Sequence, residues 1–245
     1  MRRKATAALL CLAIAAAVAA YAAQAGLGFG GGECATYDPK IPSPSRFAKV
    51  IDNAYFPLPA GRTLLYRGVE NGRKELDRVH VTGRTRNIEG IAATVVSDEV
   101  YEPVWKLKEK TFDYYAQDER GNIWYLGEDT REFLPGGKVD TSGSWLAGRS
   151  GAKPGLIMEA HPRVPDAYRQ ECRSGEAEDL AWVVGRGGSQ TVPYGGFHRV
   201  LRSLEFSRLE PAIVDRKVYG RGIGAISERQ LSGGHETLSL VRVAG

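Results

Sequence analysis

Residues 108–128 read KEKTFDYYAQDERGNIWYLGE, and this stretch decides the fold class. Phe112, Tyr114 and Ala116 oppose Thr111, Asp113 and Gln117, a period of two that belongs to a strand with one buried face and one face toward water or a ligand. Glu119-Arg120-Gly121-Asn122 then supplies turn residues, and Asn122 to Gly127 resumes with β-branched and aromatic residues. Two such runs joined by so short a link form an antiparallel hairpin.

The same pattern extends in both directions. Arg62 to Val69, Glu75 to Gly83, Ile91 to Val100, Val104 to Gln117, Tyr168 to Cys172, Gln190 to Leu209, Ile213 to Glu228 and Thr237 to Val243 all read as strands. Asn71-Gly72 and Ser232-Gly233-Gly234 supply further turns, while Leu134 to Pro165, rich in Gly and poor in periodic apolar residues, reads as a long excursion from the sheet. One short helix is expected over Ser45 to Asn53, where Phe47, Val50 and Ile51 share a helical face, Ser45 serves as N-cap and Pro57 forbids continuation. The expected fold is mainly β: an antiparallel sheet, either an open half-barrel or a sandwich, with one short N-terminal helix.

The 245 residues are 42% hydrophobic and 25% charged, which excludes collagen, coiled coil and wholesale disorder. The one long apolar run, Ala5 to Ala23, follows Arg2, Arg3 and Lys4 and ends in Ala23-Gln24-Ala25, a small-x-small cleavage pattern. Residues 1–25 therefore read as an export signal, residues 26–44 as a Gly- and Pro-rich linker, and residues 45–245 as one β-rich domain. The location is periplasmic or extracellular, and an uncleaved N-terminal anchor would leave the domain in the same compartment. Losing the three basic residues lowers the formal charge from +4 to +1, and the remaining Lys and Arg alternate with acids, so nucleic acid is not an expected partner. Export also removes Cys11, leaving Cys34 and Cys172 in an oxidising compartment, where they are expected to pair.

Several motifs resemble a group of exported bacterial proteins without an assigned activity. They are Asn53-Ala54-Tyr55-Phe56-Pro57-Leu58, Tyr115-Ala116-Gln117-Asp118, Gly121-Asn122-Ile123-Trp124-Tyr125-Leu126-Gly127-Glu128 and Tyr168-Arg169-Gln170-Glu171. The resemblance spans most of the mature chain and implies a secreted β-rich domain, with no catalytic residues to carry over. The ending Tyr219-Gly220-Arg221-Gly222-Ile223-Gly224, followed by a last strand, is more loosely similar to the open half-barrels of periplasmic lipoprotein carriers.

No complete catalytic or cofactor signature is present. His80, His161, His198 and His235 lack paired metal spacing, no serine sits in GxSxG, and the Gly-rich stretches match no phosphate loop, so neither cofactor nor metal is expected. Asp118, Asn122 and Glu128 beside Trp124 and Tyr125 form the densest polar cluster. They suit a hard cation or a sugar, although Asp118 and Asn122 would equally serve to shape the turn. Glu171 belongs to a second acidic set, where facing carboxylates would suit glycoside hydrolysis and an ion pair with Arg169 is the simpler reading.

With aromatic strand residues and no catalytic constellation, the expected function is non-catalytic binding. A concave face carrying Tyr66, Tyr114, Trp124, Tyr125 and Phe206 would hold an apolar or amphiphilic ligand, such as a lipid-like molecule or an envelope component. The alternatives are a cell-envelope hydrolase using paired carboxylates and a structural or interaction module. Convergence of carboxylates with displaced pKa values would favour the enzyme.

Overall fold

The computed structural model describes Glu33 to Gly245. The expected signal, residues 1–25, and residues 26–32 of the expected linker lie outside the described residues. One helical turn, α1 (Glu33–Thr36), opens the described chain, and an antiparallel meander begins with β1 (Thr63–Glu70), β2 (Arg73–Ile88), β3 (Ile91–Glu102), β4 (Lys106–Gln117) and β5 (Ile123–Phe133). Three short pieces, β6 (Val139–Asp140), β7 (Trp145–Leu146) and β8 (Lys153–Met158), then pair in turn along the free edge of β5. Together they act as one strand interrupted by two excursions.

The second half contains β9 (Ala167–Arg169), β10 (Glu171–Cys172), β11 (Asp179–Arg186), the separate hairpin β12 (Ser189–Val192) and β13 (Gly195–His198), and then β14 (Leu201–Ser207), β15 (Val214–Gly220), β16 (Gly224–Ser232) and β17 (Glu236–Ala244). β17 pairs with β1, Thr63 lying opposite Ala244.

The remaining edges belong to β8 and β11, and a single short segment joins them. Tyr168 in β9 pairs with Ala181 in β11, and Glu171 in β10 pairs with Pro154 in β8. Between them Gln170 donates its N–H to the Asp179 carbonyl at 2.8 Å. The sheet thereby curls into a nearly closed barrel, so of the two expected architectures the structure resembles neither a sandwich nor a wide half-barrel. Gly155 permits the closure, because a Cβ there would collide with the carbonyls of Gln170 and Arg169.

The helix expected over Ser45–Asn53 does not form. Only Pro44–Arg46 makes a 3-10 turn, and the backbone donors that a helix would use internally are taken by the β4–β5 connection. Ala48 N–H reaches the Gln117 carbonyl at 2.8 Å, while Asp52 and Asn53 N–H reach Gln117 Oε1 at 2.9 and 3.0 Å. Phe47, Val50 and Ile51 do not share a face. Phe47 packs on one core cluster, Ile51 is buried in another, and Val50 is exposed.

Residues 51–58 instead stopper one mouth of the barrel. Ile51 and Tyr55, with Phe56 and Leu58, pack against Ile123, Met158, Tyr168, Val183, Leu201 and Tyr219. A second cluster lies outside β2–β5, where Ile88, Ile91, Val95, Tyr114, Ala116, Trp124 and Leu126 meet Ala147, Ala152 and the N-terminal Ile41. Cys34 and Cys172 are bonded as expected, with Cα atoms 5.4 Å apart, which ties α1 to the closing segment. Among the described residues no helix is long and apolar enough to cross a membrane.

Candidate functional site

Above the apolar stopper the barrel interior is acidic. Strand register puts the acids there, since residues directly opposite share a face. Asp113 lies between Val96 and Glu128, and Thr111 between Asp98 and Thr130. Asp77 lies opposite Tyr66 on one side and Val100 on the other. Across the lumen, Lys217 lies between Ser203 and Glu228, and Asp215 opposite Glu205.

Lys217 is the central cation. Its Nζ is 3.0 Å from Glu205 Oε2 and 3.7 Å from Glu228 Oε2. Its charge is also felt by Tyr66 on β1, Asp98 on β3, Tyr115 on β4, Glu171 on β10, Asp179 on β11 and Glu236 on β17, which places it in the middle of the ring of strands. Although protein surrounds it, the Lys217 side chain keeps 31% of its surface accessible to water, so the lumen has room for solvent.

The carboxyls around it divide into two kinds. Glu205 is held ionised: burial pushes its pKa up, but Lys217, the Tyr219 hydroxyl at 2.8 Å and the Ser203 hydroxyl at 2.8 Å outweigh burial and bring it below the usual range. Lys217 in turn stays protonated, the pull of Glu205 and Glu228 outweighing burial. The others are crowded acids. Burial, followed by the charges of Glu75, Glu228 and Asp113, raises Asp77 to about 7, against a hydrogen bond with Asp98 that lowers it. Asp98 is pushed well up by burial and by the charge and hydrogen bond of Asp77. Asp77 Oδ1 and Asp98 Oδ1 are buried without a hydrogen-bond partner among the described residues, and two crowded carboxyls so placed favour the protonated form.

Asp113 reaches about 7 through burial and then Asp98, despite a 2.6 Å hydrogen bond from the Tyr125 hydroxyl. Glu128 is raised by burial and then by Asp113, and lies 3.2 Å from the same hydroxyl. Glu228 is raised to about 7 by burial, which Lys217 only partly offsets. Glu171 and Asp179 are raised too, chiefly by burial. A chain of hydroxyls lines the β4–β5 wall: Thr111 and Thr130 are 2.7 Å apart, and each contacts a carboxylate, Glu109 and Glu128, at 3.3 Å.

The residues singled out from sequence separate in space. Tyr66 and Tyr125 enter the lumen with Glu128 and Glu171; Tyr66 donates to the Ala225 carbonyl at 2.9 Å and Tyr125 stacks on Tyr115 at 4.8 Å. Tyr114 and Trp124 lie on the outer face, Tyr114 bonded by Arg86 at 2.6 Å and Trp124 donating to Asp118 at 3.0 Å. Phe206 packs in a small separate cluster with Leu180 and Val214. Asp118 is consumed by the turn, accepting from Arg120 N–H, Asn122 N–H, Asn122 Nδ2 and Trp124 Nε1 at 2.9–3.0 Å. Asn122 caps the Ala160 N–H at 2.9 Å. The lumen residues Asp77, Asp98, Glu205, Lys217 and Glu228 were not anticipated. Glu205, flanked by Leu204 and Phe206, is the one that stands out in the sequence as an isolated charge, whereas the others have charged neighbours such as Arg78, Glu99, Arg216 and Arg229. Among the described residues no group of three or more His, Cys, Asp or Glu is arranged to hold a metal ion.

No family model matches this chain, and no curated protein does. Two solved structures are similar. One is a protein from Bacteroides fragilis described as exported and of YmcC-like fold, 12% identical, with a TM-score of 0.46 over 79% of this chain and 100% of the other. The second, from Parabacteroides distasonis and described as a lipoprotein, is 10% identical, with a TM-score of 0.44 over 78% of this chain and 99% of the other. Likenesses of this size carry no argument about chemistry, so the lumen is interpreted from its own groups.

Proposed function

We propose that this protein is an exported, non-catalytic binding protein whose barrel lumen takes a small hydrophilic organic cation. The observation that carries this reading is the gathering of mutually repelling carboxyls from opposite strands around a single lysine, in a lumen that admits water. Such crowding destabilises the folded chain, and a bound ammonium group would relieve it by holding the acids in their ionised form. The acidic walls favour this ligand over a lipid chain, which would leave the carboxyls buried and unsatisfied. Export is supported by the basic residues and apolar run at residues 2–23 and by a disulfide that needs an oxidising compartment.

Isothermal titration with spermidine and with glucosamine tests the reading. If two groups of pKa about 7 must ionise to bind, affinity falls about 100-fold between about pH 8 and about pH 6, with protons released on binding. Absence of saturable binding by either probe at millimolar concentration, together with native mass spectra of the exported protein free of any bound organic cation, overturns it. The raised, mutually repelling carboxyls of Asp77 and Asp98 favour a second reading, acid–base hydrolysis of an envelope polymer. That reading requires turnover of such a polymer that Asp98→Asn abolishes.

A further inference from the structure

We infer a second binding site on the outer surface of the barrel: a groove over β1, β2 and β3 that takes an anionic amphiphile with a single acyl chain. The groove has a volume of 860 Å³, within the range of small-molecule sites. Register builds its floor from two adjacent rungs, Thr237–Val69–Lys74 and Arg67–Leu76–Tyr101, on the face opposite Asp77. The β3–β4 connection, Pro103-Val104-Trp105, forms its wall. Val104 is 93% and Trp105 67% exposed, and both adopt left-handed backbone, with φ of 63° and 60°, so the connection holds two large apolar side chains out in water.

Charge selects the ligand's polar end. Neighbouring cations are engaged, Lys108 with Glu70 at 2.6 Å and Arg73 with Glu102 at 3.8 Å, whereas Arg67 and Lys74 have no ion-pair or hydrogen-bond partner among the described residues. Glu75 alternates with Lys74 and Leu76 and so shares the lumen face with Asp77, which leaves Arg67 and Lys74 as an excess of positive charge on the groove face. A peptide added as a strand is disfavoured, because β1, β2 and β3 are each paired on both edges and offer no free backbone. An acyl chain along Val69, Leu76 and Trp105 with its head group between Arg67 and Lys74 satisfies both the apolar floor and the two free cations. This site shares strands with the lumen but not a face, and stands whatever the lumen binds.

Trp105 provides the assay, since Trp124 and Trp145 are buried and the partly buried Trp182 packs on β11 with Leu180 and Phe206, away from the groove. Laurate, monododecyl phosphate and neutral monolaurin are titrated below their micellar concentrations into the full chain, with emission and native mass spectrometry as readouts. A saturable blue shift is expected with both anions, lost in Trp105→Phe while mass spectra still show one bound amphiphile. Arg67→Gln with Lys74→Gln, both on exposed positions, should weaken the anions about tenfold and leave monolaurin unchanged. Equal binding of monolaurin and the anions, or no effect of the double substitution, overturns the site. Sedimentation with phosphatidylglycerol vesicles without binding of the monomeric probes also overturns it, in favour of docking to a bilayer.

Discussion

Replacing Asp77 by Asn should make the protein more stable at alkaline pH and change it little in mild acid. In the folded chain burial holds Asp77 at about 7, against 3.8 for an unperturbed aspartate. The folded state thus binds this proton more tightly than the unfolded state. The associated stability is fully present below the unfolded pKa and is lost as pH rises through the folded one. At about 1.4 kcal/mol per unit the complete loss is about 4 kcal/mol, of which about 2.5 kcal/mol falls between about pH 5 and about pH 8.5. Water in the lumen reduces this and the titration of Asp98 is coupled to it, so the advantage of Asp77→Asn should widen by about 1.5–2.5 kcal/mol across that window. Urea denaturation of both proteins at the two pH values, followed by far-ultraviolet circular dichroism, measures the difference directly. Acids that do not interact with Asp77 titrate alike in both and cancel, whereas Asp98 loses the influence of Asp77 and titrates lower in the variant, which widens the gap further. A gap that stays constant with pH would show that Asp77 is not held protonated by its surroundings, and the crowded-acid account of the lumen would fail with it.

Three further outcomes are expected. Cys172→Ala removes a cross-link spanning 138 residues and should cost up to about 5 kcal/mol in the chain-entropy treatment, while a non-reduced digest of the parent should yield the two cysteine peptides joined; free thiols at both positions would contradict the pairing. Gly155→Ala puts a methyl against the carbonyls of Gln170 and Arg169 and should cost about 3 kcal/mol, seen as a lower urea midpoint; an unchanged midpoint would mean that the closing segment does not pack as described. Glu205→Gln deprives Lys217 of its 3.0 Å partner but leaves Glu228 at 3.7 Å, so a loss of about 2 kcal/mol is expected by the same assay, and a loss under about 0.5 kcal/mol would show that Glu205 does not anchor the lysine.

The meander was legible where one face meets water. Residues 108–128 form the β4–β5 hairpin with the turn at Asp118–Asn122, and Asn71-Gly72 joins β1 to β2. The sequence does not mark β11, because Leu180 packs on the outside and Ala181 and Val183 on the inside, so there is no polar alternation. The sequence pattern ends a strand at Gly83, but the positive φ of that residue falls at a bulge between Val81 and Thr85, and β2 continues to Ile88. The stretch 190–209 divides at Tyr194 and Arg199, and 213–228 divides at Gly220–Gly224, since β-rich composition does not record where a hairpin folds back. The lumen was hidden for a physical reason. Asp113 and Lys217 occupy polar positions of alternating strands, which ordinarily face solvent, and only closure of the sheet turns that face inward. Nothing local to Gln170 announces that β8 and β11 will meet there.

The pairing of β1 with β17 bears on the order of assembly. Thr63 waits for Ala244, so a chain delivered from its N-terminus presents β1 long before its second neighbour exists. Hairpins such as β2–β3 close over a few residues, whereas the β1–β17 seam requires a search across nearly the whole domain and is expected to close late. Throughout that interval one edge of β1 carries unsatisfied N–H and C=O groups, a template for pairing with another nascent copy. The seam that later seals an acidic chamber is therefore the place where a crowded, unfinished population would aggregate, and where a holding chaperone would have most to protect.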